Sequence, residues 1–236
     1  MKLLKVSLAL LNIVVTAIFL YFTKHMTIGF VGFAFFIYII SSSVHLLVHE
    51  IGHLFGGHIS GYKLLCFQIG PLCVVSDNSK ITIKWKKSIS GQCIMYPEHK
   101  NHLHFLSYNL GGVIANFIVL VLSSSLLLFH SFATTLLFVE VVLVGLKKIS
   151  INLIPGNTGS GPNDGYIVML LKRGNAVQKD YAMYLRLYSD LYLRRTVSLE
   201  EYTYEREISK QTDEMLYYNE IQCLLASVHT KNTYGN

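Results

Sequence analysis

Hydrophobic positions run in long unbroken stretches through the first two-thirds of the chain and fall at helical spacing in the last third. The first stretch, Val6 to Phe22, follows Lys2 and Lys5 and closes at Tyr21-Phe22-Thr23-Lys24. No small-residue cleavage site comes after it, so it reads as an uncleaved span and not as a signal peptide. The second starts near Met26 and continues to about Gly57, longer than the ~20 residues a bilayer needs, which implies a tilted, bent or protruding helix. The third is Leu103 to Phe129. The fourth begins at Phe132, meets Lys147-Lys148 after Leu146, and is long enough to span when Ile149 to Ile154 extend it. The expected fold class is an all-α polytopic membrane protein with about four transmembrane helices, over residues 6–22, 27–57, 103–129 and 132–154.

Residues 58–100 break this pattern. Leu64 to Ile69 and Ile81 to Trp85 read as short strands, set apart by Gly70-Pro71 and by Asp77-Asn78-Ser79. From Asn175 onward Tyr181, Tyr184, Leu185, Tyr188, Leu191 and Tyr192 recur at helical spacing. A second amphipathic stretch runs from Leu199 to about Val228, with Ser198 as its N-cap and Glu201 three residues on. An aromatic stripe at this spacing is core. The chain therefore divides into a membrane-embedded domain, residues 1–173, with a β-rich loop at 58–100, and a helical cytoplasmic appendage, residues 174–236.

Composition sharpens this division. Hydrophobic residues make up 52% and charged residues 14% of the 236, against roughly 25% charged in an ordinary soluble domain. Only Glu50, Asp77, Glu98 and Glu140 are acidic before Asp164, and every arginine lies at Arg173 or later. The net charge of +6 has an ordinary source in lysines at span ends, which orient a membrane chain. Six of them lie between Gly57 and Asn101, and Lys147-Lys148 closes the fourth stretch. Placing these in the cytoplasm puts both termini there and leaves Lys24 and the Phe129–Phe132 link outside. No basic stripe interleaved with aromatics points to nucleic acid. The cysteines Cys66, Cys73, Cys93 and Cys223 have neither CxxC nor zinc-ribbon spacing and read as reduced thiols.

Candidate chemistry centres on His49-Glu50-Ile51-Gly52-His53, an H-E-x-x-H match. Helical residues i and i+4 share a face, so His49 and His53 can ligate one zinc ion, with Glu50 beside them as general base. Ionisable side chains inside an apolar helix are costly and mark function by default. His45, four residues before His49, shares the zinc-binding face and reads as a bundle-facing histidine; His58 falls on another face and reads as interfacial. A catalytic zinc takes three protein ligands and keeps one position open. After the fourth span the chain continues Asn152-Leu153-Ile154-Pro155-Gly156-Asn157-Thr158-Gly159-Ser160-Gly161-Pro162-Asn163-Asp164-Gly165 and returns to the same cytoplasmic end. Its one carboxylate, Asp164, is either the third ligand or the N-cap of a helix from Gly165 to Leu171, and the residues themselves leave both open. Glu140, in mid-span, reads as a structural polar contact.

The combination resembles the site-2 protease family of intramembrane zinc metalloproteases. That family pairs an HExxH helix with a later N-x-x-P…D-G motif, here Asn152/Pro155 and Asp164-Gly165. Gly61 to Pro71 is similar to its β-rich segment, and Gly111-Gly112-Val113-Ile114-Ala115-Asn116 to its G-P-x-x-N motif. The resemblance covers roughly Val44 to Leu171. It implies that Asp164 completes a site for one Zn2+ per chain and that a peptide bond is hydrolysed in or near a transmembrane segment of a membrane-bound substrate. Asn152 and Asn116 would then hydrogen-bond the substrate or the developing oxyanion, and an edge strand from Leu64 to Ile69 would pair with the unwound substrate. Three departures stand out: nine positions separate Pro155 from Asp164, Asn163 replaces an apolar residue, and Gly112 stands where proline is common. No segment is large enough for a PDZ domain, and a compact chain of this kind points to a bacterial cell membrane. The competing readings are a membrane zinc peptidase maturing a small pheromone- or bacteriocin-type precursor, a catalytically silent membrane scaffold, and a zinc transporter. Intact Glu50 argues against the scaffold, and an outer half made of aliphatic and aromatic residues against the transporter.

Overall fold

A computed structural model describes residues 2–77, 80–87, 91–98, 104–158, 161–193, 195, 197, 202 and 216–234. In chain order the elements are α1 (Lys2–Phe22), α2 (Ile28–Ile59), β1 (Tyr62–Ile69), β2 (Leu72–Asp77), β3 (Lys80–Trp85), β4 (Gly91–Pro97), α3 (Phe105–Ser123), a 3-10 turn (Ser124–Phe129), α4 (Phe132–Leu153), the two-residue strands β5 (Asn157–Thr158) and β6 (Gly161–Pro162), α5 (Asp164–Leu171), α6 (Asn175–Tyr192) and α7 (Leu216–Tyr234). They form two compact units, Met1–Phe55 with Asn109–Tyr166, and Gly56–Tyr108 with Ile167–Asn236. The β-rich segment, which sequence places with the membrane part, thus groups with the C-terminal helices. The Ser198 cap and Glu201 lie outside the described residues.

In the first unit, three helical stretches are long and apolar enough to cross a membrane: Lys2–Phe22, Ile28–Ile59 and Phe105–Phe129. Their outward surfaces carry large apolar side chains such as Phe22, Phe35 and Phe117. The helix α4 is of similar length but contains Glu140, Lys147 and Lys148, and it is not among them. It starts cleanly because Ser131 and Thr134 cap each other's backbone N–H in a reciprocal box. The helix α1 ends in a tight turn in which His25 N donates to Leu20 O (2.9 Å) and Lys24 N to Tyr21 O (3.0 Å), a Schellman pattern with Lys24 at a positive φ of 57°. His25 then stacks on Phe132 and meets Phe30 edge-on. Beneath it Leu20, Ala34, Ile37 and Leu136 bury one another, so α1, α2 and α4 share a core.

Two further contacts fix this unit. The backbones of α2 and α3 touch at Gly52 and Gly111, where a Cβ on either glycine would come within 2.3 Å of the other's carbonyl oxygen. Small residues permit such an approach between helices that have no hydrophobic effect to drive them together in lipid. The other contact is polar. Glu140, buried in α4, accepts from Asn12 Nδ2 (3.1 Å) and Thr16 Oγ1 (2.6 Å) of α1.

The second unit is built on an antiparallel sheet ordered β3-β2-β1-β4. A turn at Gly70, with φ of 56°, joins β1 to β2 in register Ile69↔Leu72 through Cys66↔Val75. Leu65, Cys66, Cys73 and Val75 are buried beneath Tyr188 and Tyr192 of α6, the consecutive pair Leu65-Cys66 lying where the β1–β4 register shifts. The Cys66 and Cys73 thiols are adjacent and unbridged, and burial together with Cys73 pushes the Cys66 thiol up to about 11. The opposite side of α6 packs on α7 through Leu187, Ile221 and Leu225, so the aromatic stripe is core as its spacing predicts. Arg195 ties strand to helix, donating to Asp77 (2.6 Å) and Asp190 (3.2 Å).

Replacing Glu140 by leucine takes the acceptor from the buried Asn12 and the half-buried Thr16, which costs about 1–3 kcal/mol. The midpoint of thermal unfolding in detergent is expected to fall for Glu140→Leu and to stay near wild type for Glu140→Gln, which still offers an acceptor and a donor. An unchanged midpoint in Glu140→Leu removes this contact from the forces that hold α1 to α4.

Candidate metal centre

His49, Glu50 and His53 sit near the C-terminal end of α2, where the i, i+4 spacing puts the two imidazoles on one face. Their rings stand perpendicular with centroids 4.6 Å apart. His49 Nε2 lies 3.1 Å from His53 Nε2, and Asp164 Oδ2 lies 3.3 Å from the first and 3.4 Å from the second. Ligands bound tetrahedrally at about 2.0–2.1 Å are separated by about 3.3 Å, so these three atoms outline one face of such a tetrahedron. No further His, Cys, Asp or Glu joins this group among the described residues.

The electrostatics agree with the distances. Both histidines are buried, and Asp164 Oδ2 is inaccessible to solvent yet accepts no well-formed hydrogen bond among the described residues. Burial disfavours charge on this carboxyl, but the adjacent imidazoles outweigh that and hold it down at about 2. A carboxylate oxygen packed against two imidazole nitrogens away from water is a costly arrangement for a core and a favourable one for a cation. The buried His49, His53 and Asp164 group is therefore able to hold a metal ion.

Asp164 arrives there because Asn163 takes over the capping work. Asn163 Oδ1 accepts from Tyr166 N (3.0 Å) as the N-cap of α5, and from Gly156 N (3.0 Å) across the loop. Its Nδ2 donates to Ile151 O (2.6 Å) and Ile154 O (2.7 Å), carbonyls left over at the end of α4. One side chain thus satisfies both ends of the long Pro155-to-Asp164 connection, and the β5–β6 hairpin fills its middle. Of the two readings open to Asp164 from sequence, the capping one falls to its neighbour. Gly165 completes the junction, since a Cβ there would meet Leu153 O at 2.1 Å.

Gly112 has a comparable reason on α3. A Cβ at this position would lie 2.6 Å from His49 Nδ1 and 2.7 Å from His53 Nε2, so a side chain would press both imidazoles out of line. Glu50 is buried beside His49, and its carboxylate makes no hydrogen bond among the described residues. Asn152, in the last turn of α4, is half-buried and its amide is likewise without a hydrogen bond among the described residues. Asn116 is fully buried, with one end of its amide on His49 Nδ1 (3.3 Å) and the other on His45 Nδ1 (2.9 Å). It thus meets the ring nitrogen of His49 other than the one that faces Asp164. His45 is fully buried as well, and His58 is exposed in the last turn of α2.

One expectation is corrected by sheet order. The segment Leu64 to Ile69 lies in β1, which pairs with both β2 and β4 and offers no edge. The edges belong to β3 and β4. Sequence also missed Asn163, whose only local signal is an Asn immediately before the aspartate of a helix start. Comparison with protein-family models, with curated proteins and with solved structures finds no match to this chain.

Asn163→Leu deletes four hydrogen bonds and uncaps α5. The expected loss is about 1–3 kcal/mol, measured as a lower unfolding midpoint in detergent. Asn163→Asp, which keeps the cap but cannot donate to the α4 carbonyls, is expected to fall between leucine and wild type. A leucine variant as stable as wild type contradicts the clasp.

Proposed function

We propose that this chain is a membrane-embedded zinc endopeptidase that hydrolyses a peptide bond in or near a transmembrane segment of a membrane-bound substrate. The observation that carries the reading is the convergence of His49 Nε2, His53 Nε2 and Asp164 Oδ2 at 3.1–3.4 Å, with Glu50 next in sequence, on a helix apolar enough to cross a bilayer. Two imidazoles and one carboxylate with an open fourth position suit zinc in a hydrolytic site. The motif order His49-Glu50-x-x-His53, Asn152/Pro155, Asp164-Gly165 supports assignment to the site-2 protease family.

In this reading α4 is a fourth span, with its lysines at the cytoplasmic end and both termini in the cytoplasm. Bound zinc supplies Lewis acidity, lowering the pKa of water to about 7 and polarising the scissile carbonyl. The chain's own residues do the rest. The Glu50 carboxylate, unengaged by other described residues, accepts a proton from the attacking water and delivers it to the leaving amine. The Asn152 amide hydrogen-bonds the substrate backbone or the developing oxyanion. A helical substrate hides its amides in its own hydrogen bonds and has to unwind before it is cut. An extended segment adding to the sheet does so at β3 or β4.

The test uses the full chain in proteoliposomes together with membrane proteins of its source cell, with new N-termini read by mass spectrometry. Wild type is expected to create termini inside or next to transmembrane segments. A zinc chelator should abolish them, and Glu50→Gln should reduce their rate by at least about 10²-fold. Termini that persist unchanged in Glu50→Gln, or that fall only in soluble loops, would contradict the assignment.

A further inference from the structure

The buried polar chain behind His49 has a proton arithmetic that a metal at Nε2 would dictate. Asn116 of α3 bridges His49 and His45, both on α2, and His45 Nε2 in turn lies 3.0 Å from Val141 O of α4. Its middle is shut off from solvent, because His45 and Asn116 are both 0% exposed. Gly145 makes the last link possible, since a Cβ there would sit 2.7 Å from His45 Cε1 and 2.4 Å from Leu120.

As placed, the Asn116 amide turns Nδ2 toward His49 Nδ1 and Oδ1 toward His45 Nδ1. An NH2 donating to His49 Nδ1 puts the His49 proton on Nε2, among the other two ligand atoms. The same orientation asks His45 to donate from both ring nitrogens, a buried cation with no anion facing it among these partners. The oxygen and nitrogen ends of an amide are nearly isosteric, and a half-turn exchanges them without moving another atom. After the half-turn, His49 Nδ1–H donates to Asn116 Oδ1, Asn116 Nδ2 donates to His45 Nδ1, and His45 Nε2–H donates to Val141 O. Every donor then has an acceptor, both imidazoles are neutral, and the His49 Nε2 lone pair is bare.

We propose that Asn116 and His45 are positioning residues of the metal centre, a hydrogen-bonded relay from His49 to the Val141 carbonyl that holds His49 in its Nδ1–H tautomer so that Nε2 can ligate. This rests on His49 being a metal ligand. Metal-ligating histidines are commonly oriented through their second ring nitrogen, and loss of the partner typically weakens binding by about 10–100-fold. The relay is two residues deep and made of neutral groups, which suits a helix interior where a second carboxylate would be costly.

The experiment is zinc affinity of the purified full chain in detergent, read by competition with a chromophoric chelator, beside 15N spectra of histidine-labelled, zinc-loaded protein. Asn116→Leu is expected to bind zinc about 10–100-fold more weakly. Asn116→Asp, whose carboxylate still accepts from His49 Nδ1–H, should remain within a few-fold of wild type. Wild-type His45, assigned by its disappearance in His45→Phe, should carry its proton on Nε2 and not on Nδ1. That spectrum needs no variant to bind metal, and its diagnostic feature is the bare Nδ1, because donation to Val141 O alone leaves His45 free to carry a second proton there. Asn116→Leu with wild-type affinity, or His45 protonated on Nδ1 in the loaded wild type, would overturn the relay. Wild type that binds no zinc would instead overturn the metal centre itself.

Discussion

Two imidazole nitrogens and one carboxylate oxygen converge within 3.1–3.4 Å of one another in a buried place. Gathering these groups away from water is costly unless their charge is compensated, as a bound cation would do. Much of the first unit can be understood as the scaffolding for that convergence. The glycine contact of Gly52 with Gly111 sets α3 against α2 at backbone distance. Gly112, one residue on, then leaves room for the imidazoles that any side chain would displace. Asn163 absorbs the capping demands of α5, so that the Asp164 carboxylate is spare for the site. Asn116 and His45 support His49 from behind.

The same economy governs α1 and α4. Glu140 is the deepest acidic group of the bundle, and its two oxygens are taken up by Asn12 and Thr16. It is thereby a link between helices and not a competitor for the metal. Polar groups inside apolar helices are tolerated only where partners satisfy them. In this unit Glu140 serves a helix contact and Asn163 a loop junction.

Sequence made local features legible and left non-local ones hidden. The apolar stretches locate α1 to α4 within a few residues, and the i, i+4 pair His49/His53 needs nothing beyond helical geometry. Asp164 was legible through motif order, although its distance from α2 in the chain is long. The strands β2 and β4 were missed because Leu72–Asp77 and Gly91–Pro97 contain Cys, Met, Gln and Gly among few β-branched residues. They become strands through pairing with β1, which supplies partners on both sides. Strand order itself carries no local signal, and for that reason Leu64 to Ile69 read as an edge. His45 read as an idle bundle histidine because its partners lie 71 and 96 residues away. Asn163 read as a departure from a family pattern, whereas its four bonds span α4, the loop and α5.

The central claim is that His49, His53 and Asp164 hold one metal ion together, and metal content measures it without any substrate. Wild-type full chain, purified in detergent under metal-replete conditions, should carry about one zinc ion per chain, and Asp164→Ala should lose most of it while Glu50→Gln keeps it. Undiminished zinc in Asp164→Ala, or none in wild type, would contradict the account.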